Sequence, residues 1–270
     1  MVVSFMGYSG DSGMYIHALR IIGEMIPVIL EYDWEVTVKL DLPTGQGFGM
    51  SAAGSIAFCN SLQRAVGIPY EESKRRSLLV AHLVDRERSS GLGDVTALAA
   101  GGVVIRKSPG SPYNGHLLEK GPGKSIGWES DSQIILAWNS EYSKHTSSYI
   151  EDSRWKHQIT KSGNENLNGL LDGKWDESKW GDLISSSKAF SSDSGLSEES
   201  ARANVLGICE ASISEAGMAE KIRPLLCMLG TSVAIVPTSL DGGLGNVDGI
   251  IRRLNSNGLE TIKSRIGKVL

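Results

Sequence analysis

Pro43-Thr44-Gly45-Gln46-Gly47-Phe48-Gly49-Met50-Ser51-Ala52-Ala53 is the stretch of this 270-residue chain on which the reading of the rest depends. Ahead of it, Trp34, Val36, Val38 and Leu40 alternate with Glu35, Thr37, Lys39 and Asp41, the period-two pattern of a strand with one buried face. Pro43 ends that strand. Behind it, 51–66 is rich in Ala and other small residues and reads as a helix stopped by Gly67. Alternating glycines leave the backbone bare, so that several N–H groups can turn toward one anion. The helix start adds the positive end of its dipole, and the Ser51 hydroxyl can reach a phosphate or a phosphate-bound Mg²⁺. A plain Gly-rich turn before a close-packed helix is the competing account.

Two other glycine signatures fit less well. The spacing Gly-x-Gly-x-Gly departs from the Gly-x-Gly-x-x-Gly of dinucleotide folds, and no acidic residue follows at the distance such a fold needs. A dinucleotide-dependent oxidoreductase is therefore set aside. Gly123-Lys124-Ser125 ends like Gly-x4-Gly-Lys-Ser, but position 118 is Leu, and Lys124 is given a surface role.

A second constellation lies at Gly91-Leu92-Gly93-Asp94, with Gly101-Gly102 shortly after it. Asp94 admits two readings: an N-cap of the short helix 95–100, or a carboxylate that accepts the proton of a substrate hydroxyl attacking a γ-phosphate. Upstream, Asp85-Arg86-Glu87-Arg88 is either a solvated helix end or the source of a Mg²⁺ ligand, Asp85 ahead of Glu87. Arg106 is either an exposed strand-end arginine or a bidentate clamp on a substrate carboxylate. Arg88 and His145 are weaker candidates for that clamp.

Composition bounds the function. The formal net charge of −4 gives no support to wholesale nucleic-acid binding, and 40% hydrophobic with 21% charged residues is ordinary for a globular protein. No stretch approaches the ~20 apolar residues of a membrane span. The start lacks the basic and apolar regions of a signal peptide. Three separated cysteines, Cys59, Cys209 and Cys227, read as buried thiols in a reducing cytoplasm. The second-half tryptophans read as packing residues. Further elements are expected as helices at 12–30, 69–89, 197–216 and 247–256 and strands at 103–106, 134–138, 231–237 and 259–266. Residues 108–128 are expected as loop and 139–195 as short helical pieces. The mixture is α+β in two lobes, divided as 1–130 and 131–270.

Together, PTGQGFGMSAA at 43–53 and GLGDVTALAAGG at 91–102 resemble the GHMP kinases, whose loop reads Pro-x-Gly-x-Gly-x-Gly-Ser-Ser-Ala. Met228-Leu229-Gly230-Thr231-Ser232 resembles their third motif. Within the superfamily, 45–57, 89–112 and 227–236 are most similar to the archaeal pantoate kinases. The resemblance implies a glycine-loop nucleotide-binding N-terminal lobe and a ferredoxin-like C-terminal lobe. It implies ATP and Mg²⁺ as cofactors and pantoate as acceptor, giving 4-phosphopantoate for coenzyme A synthesis. It places Pro43, Gly45, Gly47, Gly49, Ser51, Ala52 and Ala53 on the nucleotide, Ser51 and Asp85 near Mg²⁺, and Asp94 in the catalytic position. Homoserine or mevalonate are the alternative acceptors, and an ATP-binding module without turnover is the alternative class. A homodimer is left open. Two departures stand out. Ala52 replaces the second Ser of the family's pair, leaving one hydroxyl. The family's N-terminal Pro-containing strand and turn is not found in the 42 residues before Pro43, so part of the acceptor site and an edge of the first sheet are expected to be missing.

Overall fold

Val2–Gly7 (β1) runs parallel to Glu35–Leu40 (β2), in register from Val2 opposite Glu35 to Gly7 opposite Leu40. Val36 and Val38 turn inward from β2 and its polar alternates face solvent, as the period-two pattern predicts. The structure, a computed structural model of the chain, describes residues 1–91, 93–141 and 147–267. Two units divide it: Met1–Thr44 with Phe48–Ile126, and Gly45–Gly47 with 127–267.

In the first unit Ser12–Met25 (α1) joins β1 to β2. Asp11 caps it through Gly13 N–H at 2.8 Å. The helix expected over 12–30 stops early because Pro27 disfavours helical backbone in the residue before it, and a 3-10 turn, Pro27–Glu31, follows. Met50–Ala65 (α2) and Tyr70–Glu87 (α3) pack on α1, and Asp94–Ala100 (α4) follows. Tyr15, Ala18, Ile22, Phe58, Cys59 and Val84 form the core between them. Burying each large apolar side chain here contributes about 1.5–3 kcal/mol.

The segment expected as loop over 108–128 instead contains paired strands. Val103–Ser108 (β3) pairs with Lys124–Trp128 (β6), and Tyr113–Asn114 (β4) pairs antiparallel with Glu119–Lys120 (β5).

The second unit carries a four-stranded antiparallel sheet. In chain order come Gln133–Trp138 (β7), the helices Ser147–Ile150 (α5), Ser153–Leu171 (α6), Trp180–Asp193 (α7) and Ser200–Glu215 (α8), then Ile222–Leu226 (β8), Ser232–Pro237 (β9), Asp248–Ser256 (α9) and Glu260–Arg265 (β10). The sheet order is β10-β7-β9-β8, the β-α-β-β-α-β arrangement of a ferredoxin-like fold. Ile135, Val205, Ile213, Val233, Ile235, Ile250 and Leu254 form its core. The tryptophans pack as expected: Trp180 is buried, donates its indole N–H to the Pro237 carbonyl at 2.8 Å and meets Trp128 edge-on. Cys59 and Cys209 are fully buried and Cys227 is largely so. Burial pushes all three thiols up, Cys209 to about 12 and Cys227 to about 11. No helix among the described residues is long and apolar enough to cross a membrane.

Candidate active site

Three stretches of the first unit converge at the start of α2. Gly49 is the residue before the helix and holds left-handed backbone, φ 67° and ψ 22°. The Ala53 N–H closes the first turn on the Gly49 carbonyl at 3.0 Å, and the amides ahead of it are the ones a helix leaves without internal partners. Ser51 is half-buried and Ala52 is fully buried against Leu78, Ala81 and Val95. That burial accounts for Ala52: a hydroxyl there would face an apolar cluster.

Asp85, near the C-terminal end of α3, is 4% exposed. Its Oδ1 accepts hydrogen bonds from Ser51 Oγ at 2.9 Å and Ser90 Oγ at 2.7 Å, and the two hydroxyls lie 3.1 Å apart. Burial pushes the Asp85 carboxyl above the usual range, and the two hydroxyl donors oppose that rise. Gly91 leaves room for the same carboxylate, since a Cβ there would stand 2.6 Å from Oδ2. Ser90 escaped the reading of the sequence. It reaches Asp85 because the chain turns through Ser89 at φ 50°, and its N–H bonds the Asp85 carbonyl at 3.0 Å. A Ser-Ser-Gly directly after a charged helix end was the available signal. Ser90 thus adds a second hydroxyl beside that of Ser51 on Asp85.

Asp94 is the first residue of α4. Gly93 occupies the cap position and no side chain caps the helix, so the N-cap reading of Asp94 is excluded. The Asp94 Cβ is the nearest atom to a Cβ built on Gly49, at 3.9 Å, which seats this carboxylate beside the start of α2. Asp94 is exposed as a residue, yet desolvation of its carboxyl by the protein around it pushes its pKa up, with the Asp85 charge adding to the rise and the Arg106 guanidinium opposing it. Arg106, on β3, lies against Gly93, where a Cβ would collide with its guanidinium.

The remaining candidates separate. Glu87 pairs with His17 at 2.7 Å and Arg20 at 3.1 Å, apart from the hydroxyl pair on Asp85. Arg88 pairs with Asp11. Lys124 is exposed at the start of β6. Leu92 and His145 lie outside the described residues. Pro43 is half-buried and belongs to the first unit, whereas Gly45 and Gly47, exposed and at φ 75° and 78°, group with the second. There the Gln46 side-chain amide donates to the Asn139 carbonyl at 3.0 Å, and Ser232 Oγ donates to the Gln46 carbonyl. The motif-like segment 228–232 therefore lies against Gln46 and Gly47.

Comparison with known proteins sets this geometry in a family. Residues 15–102 match the GHMP kinases N terminal domain, and that match contains Gly49, Ser51, Asp85, Ser90 and Asp94. Residues 15–102 thus carry a GHMP kinase N-terminal domain. Among the relatives of this chain is the pantoate kinase of Methanocaldococcus jannaschii, 30% identical over 178 residues, 66% of this chain and 57% of that protein. The pantoate kinase of Methanospirillum hungatei is 32% identical over 192 residues, 71% and 55% of the two chains. The chain thus spans somewhat over half the length of these relatives. Its fold is shared with a phosphotransferase related to the CoA biosynthesis pathway, at a TM-score of 0.62 and 19% identity, covering 98% of this chain and 79% of that one. The homoserine kinase of Cytophaga hutchinsonii gives a TM-score of 0.60 at 13% identity, covering 99% and 82%. The α+β fold read from the sequence is accordingly the GHMP kinase fold.

Proposed function

We propose that this chain is an ATP-dependent kinase that phosphorylates a hydroxyl of a small hydroxy acid, with pantoate as the acceptor. One observation carries the reading: a buried carboxylate, Asp85, held by two hydroxyls at a helix start, with a second carboxylate, Asp94, beside it. Phosphoryl transfer needs little from the protein beyond positioning and charge compensation. The amides of Gly45, Gly47, Gly49 and the first turn of α2 bind the phosphates, with Pro43, Ala52 and Ala53 shaping the approach. The donors at the start of α2 are all oxygens, which suits Mg²⁺, an ion that prefers one or two carboxylates plus substrate phosphates to a cage of protein ligands. Asp85 and Ser51, with Ser90, would hold it, and when bound it neutralises charge on the phosphates.

Asp94 accepts the proton of the acceptor hydroxyl as that oxygen bonds the γ-phosphorus and the bond to the ADP oxygen breaks. Burial raises its pKa above the ordinary carboxylate value, which makes it a stronger base toward that proton. Arg106, next to Asp94, pairs with the acceptor's carboxylate. In this reading 1–130 is the ATP-binding domain and 131–270 the second GHMP domain. The acceptor rests on the relatives' activity on pantoate, and a reducing cytoplasm is the compartment the free thiols suit.

The test is ADP release from the purified chain with Mg-ATP, with and without pantoate, beside homoserine and mevalonate. Release stimulated by pantoate alone is expected. Stimulation by homoserine or mevalonate instead reassigns the acceptor, and ATP binding without release in any arm replaces the kinase by a binding module.

A further inference from the structure

We propose that Arg202 is a positioning residue for the glycine loop, a role that rests on the nucleotide-binding reading above. Arg202 sits on α8 in the second unit and is 3% exposed. An arginine so deeply buried is retained only when its donors are matched. Its Nε donates to the Gly230 carbonyl at 2.8 Å, and its Nη1 donates to the Tyr149 hydroxyl at 2.9 Å. That hydroxyl donates in turn to Glu199 at 2.6 Å, and Glu199 pairs directly with Arg202. The guanidinium also lies 4.9 Å from the centroid of the Tyr149 ring. From this group the Arg202 Nε bond to the Gly230 carbonyl reaches the turn after β8.

Gly230 is where the turn after β8 meets the glycine loop. A Cβ on Gly230 would collide with the Gln46 carbonyl. A Cβ on Gly47 would lie 2.7 Å from the Cys227 carbonyl oxygen, 2.8 Å from that of Met228 and 2.9 Å from the Gly230 nitrogen. The two backbones touch with no side chain between them, so the loop takes its path from the turn. The turn itself is strained: Leu229 stands at φ 61°, left-handed backbone that a branched residue keeps only where its surroundings over-determine it. Two restraints do so here. The Leu229 side chain is buried with Tyr149 and Leu196, and Arg202 fixes the next carbonyl. Releasing that carbonyl lets Leu229 relax, which moves the surface on which Gln46 and Gly47 rest.

Hydrogen exchange on the full chain tests this by comparing wild type, Arg202→Gln, Tyr149→Phe and the core variant Ile213→Val. Arg202→Gln is expected to speed exchange across 43–50 and 227–232, and Tyr149→Phe to do so less. Ile213→Val is expected to lower the melting temperature while leaving both segments as in wild type. The dissociation constant of Mg-ATP is expected to rise roughly 10- to 100-fold in Arg202→Gln, with KM for ATP rising likewise and kcat little changed. Wild-type exchange at 43–50 in Arg202→Gln overturns the proposal. If that variant does not fold, wild-type exchange there in Tyr149→Phe overturns it. A wild-type chain that binds no Mg-ATP defeats the kinase reading instead, and the exchange comparison still decides whether Arg202 positions the loop.

Discussion

Replacing Asp94 by asparagine removes a charge that the folded chain holds against its surroundings. The raised pKa means that the folded state binds this proton more tightly than the unfolded state does. Its contribution to stability is complete below the unfolded value and is lost as pH rises through the folded one. Asp94→Asn is therefore expected to raise the melting temperature of the nucleotide-free chain at neutral pH, with the gain vanishing below about pH 4. The same change should lower turnover by about 10²–10⁴-fold. Thermal melts at the two pH values beside an ADP-release assay check both halves, and near-normal turnover removes Asp94 from the chemistry. Arg106→Met takes away the cation that holds the Asp94 pKa down, so the acidic limb of kcat/KM should move to higher pH while KM for the acceptor rises. Ser90→Ala strips one of two donors from Asp85. The Mg²⁺ concentration for half-maximal activity should then rise by roughly 10- to 100-fold, and an unchanged requirement would show that Ser51 alone sets the site.

Elements constrain the loop as much as single residues do. Gly47→Ala combines a left-handed φ of 78° with three backbone atoms within 3 Å of the new methyl, the nearest 2.7 Å away. It should cost about 1–3 kcal/mol of stability and weaken ATP binding, measured by denaturation and titration of the same sample. Local pattern made β2, α2 and α3 legible, because each shows its buried face in its own sequence. It failed where an element depends on a distant partner. In β1, Val2-Val-Ser-Phe-Met-Gly has no clean alternation and is a strand only because β2 lies beside it. The strand β8, not expected from the sequence, contains Pro224, which the structure admits because β8 is at the sheet's edge, where a missing N–H leaves no neighbour unbonded. The glycine loop and Asp94 were visible because their chemistry is contiguous in sequence. Ser90 was not, since its meaning comes from a turn through Ser89 that brings it onto Asp85.

For the whole chain, ligand linkage gives the broadest check: Mg-ATP at 100 times its dissociation constant should add about 2.7 kcal/mol to the stability of the form that binds it. A thermal shift of several degrees with Mg-ATP, reduced by EDTA, is expected; no shift would speak against a nucleotide site. The sheet order of the second unit could not be read from local pattern, because pairing β7 with β9 and β10 is decided across more than ninety residues. The family resemblance, which carries that long-range information, supplied it. The buried thiols have a practical consequence of their own. Cys59 lies in the core of the first unit and Cys209 in that of the second, both fully shielded and poorly ionised. A thiol reagent can therefore label each only when its own unit opens. The native chain already contains a reporter in each half, so timed labelling followed by peptide mapping would reveal which half loosens first, with no residue altered.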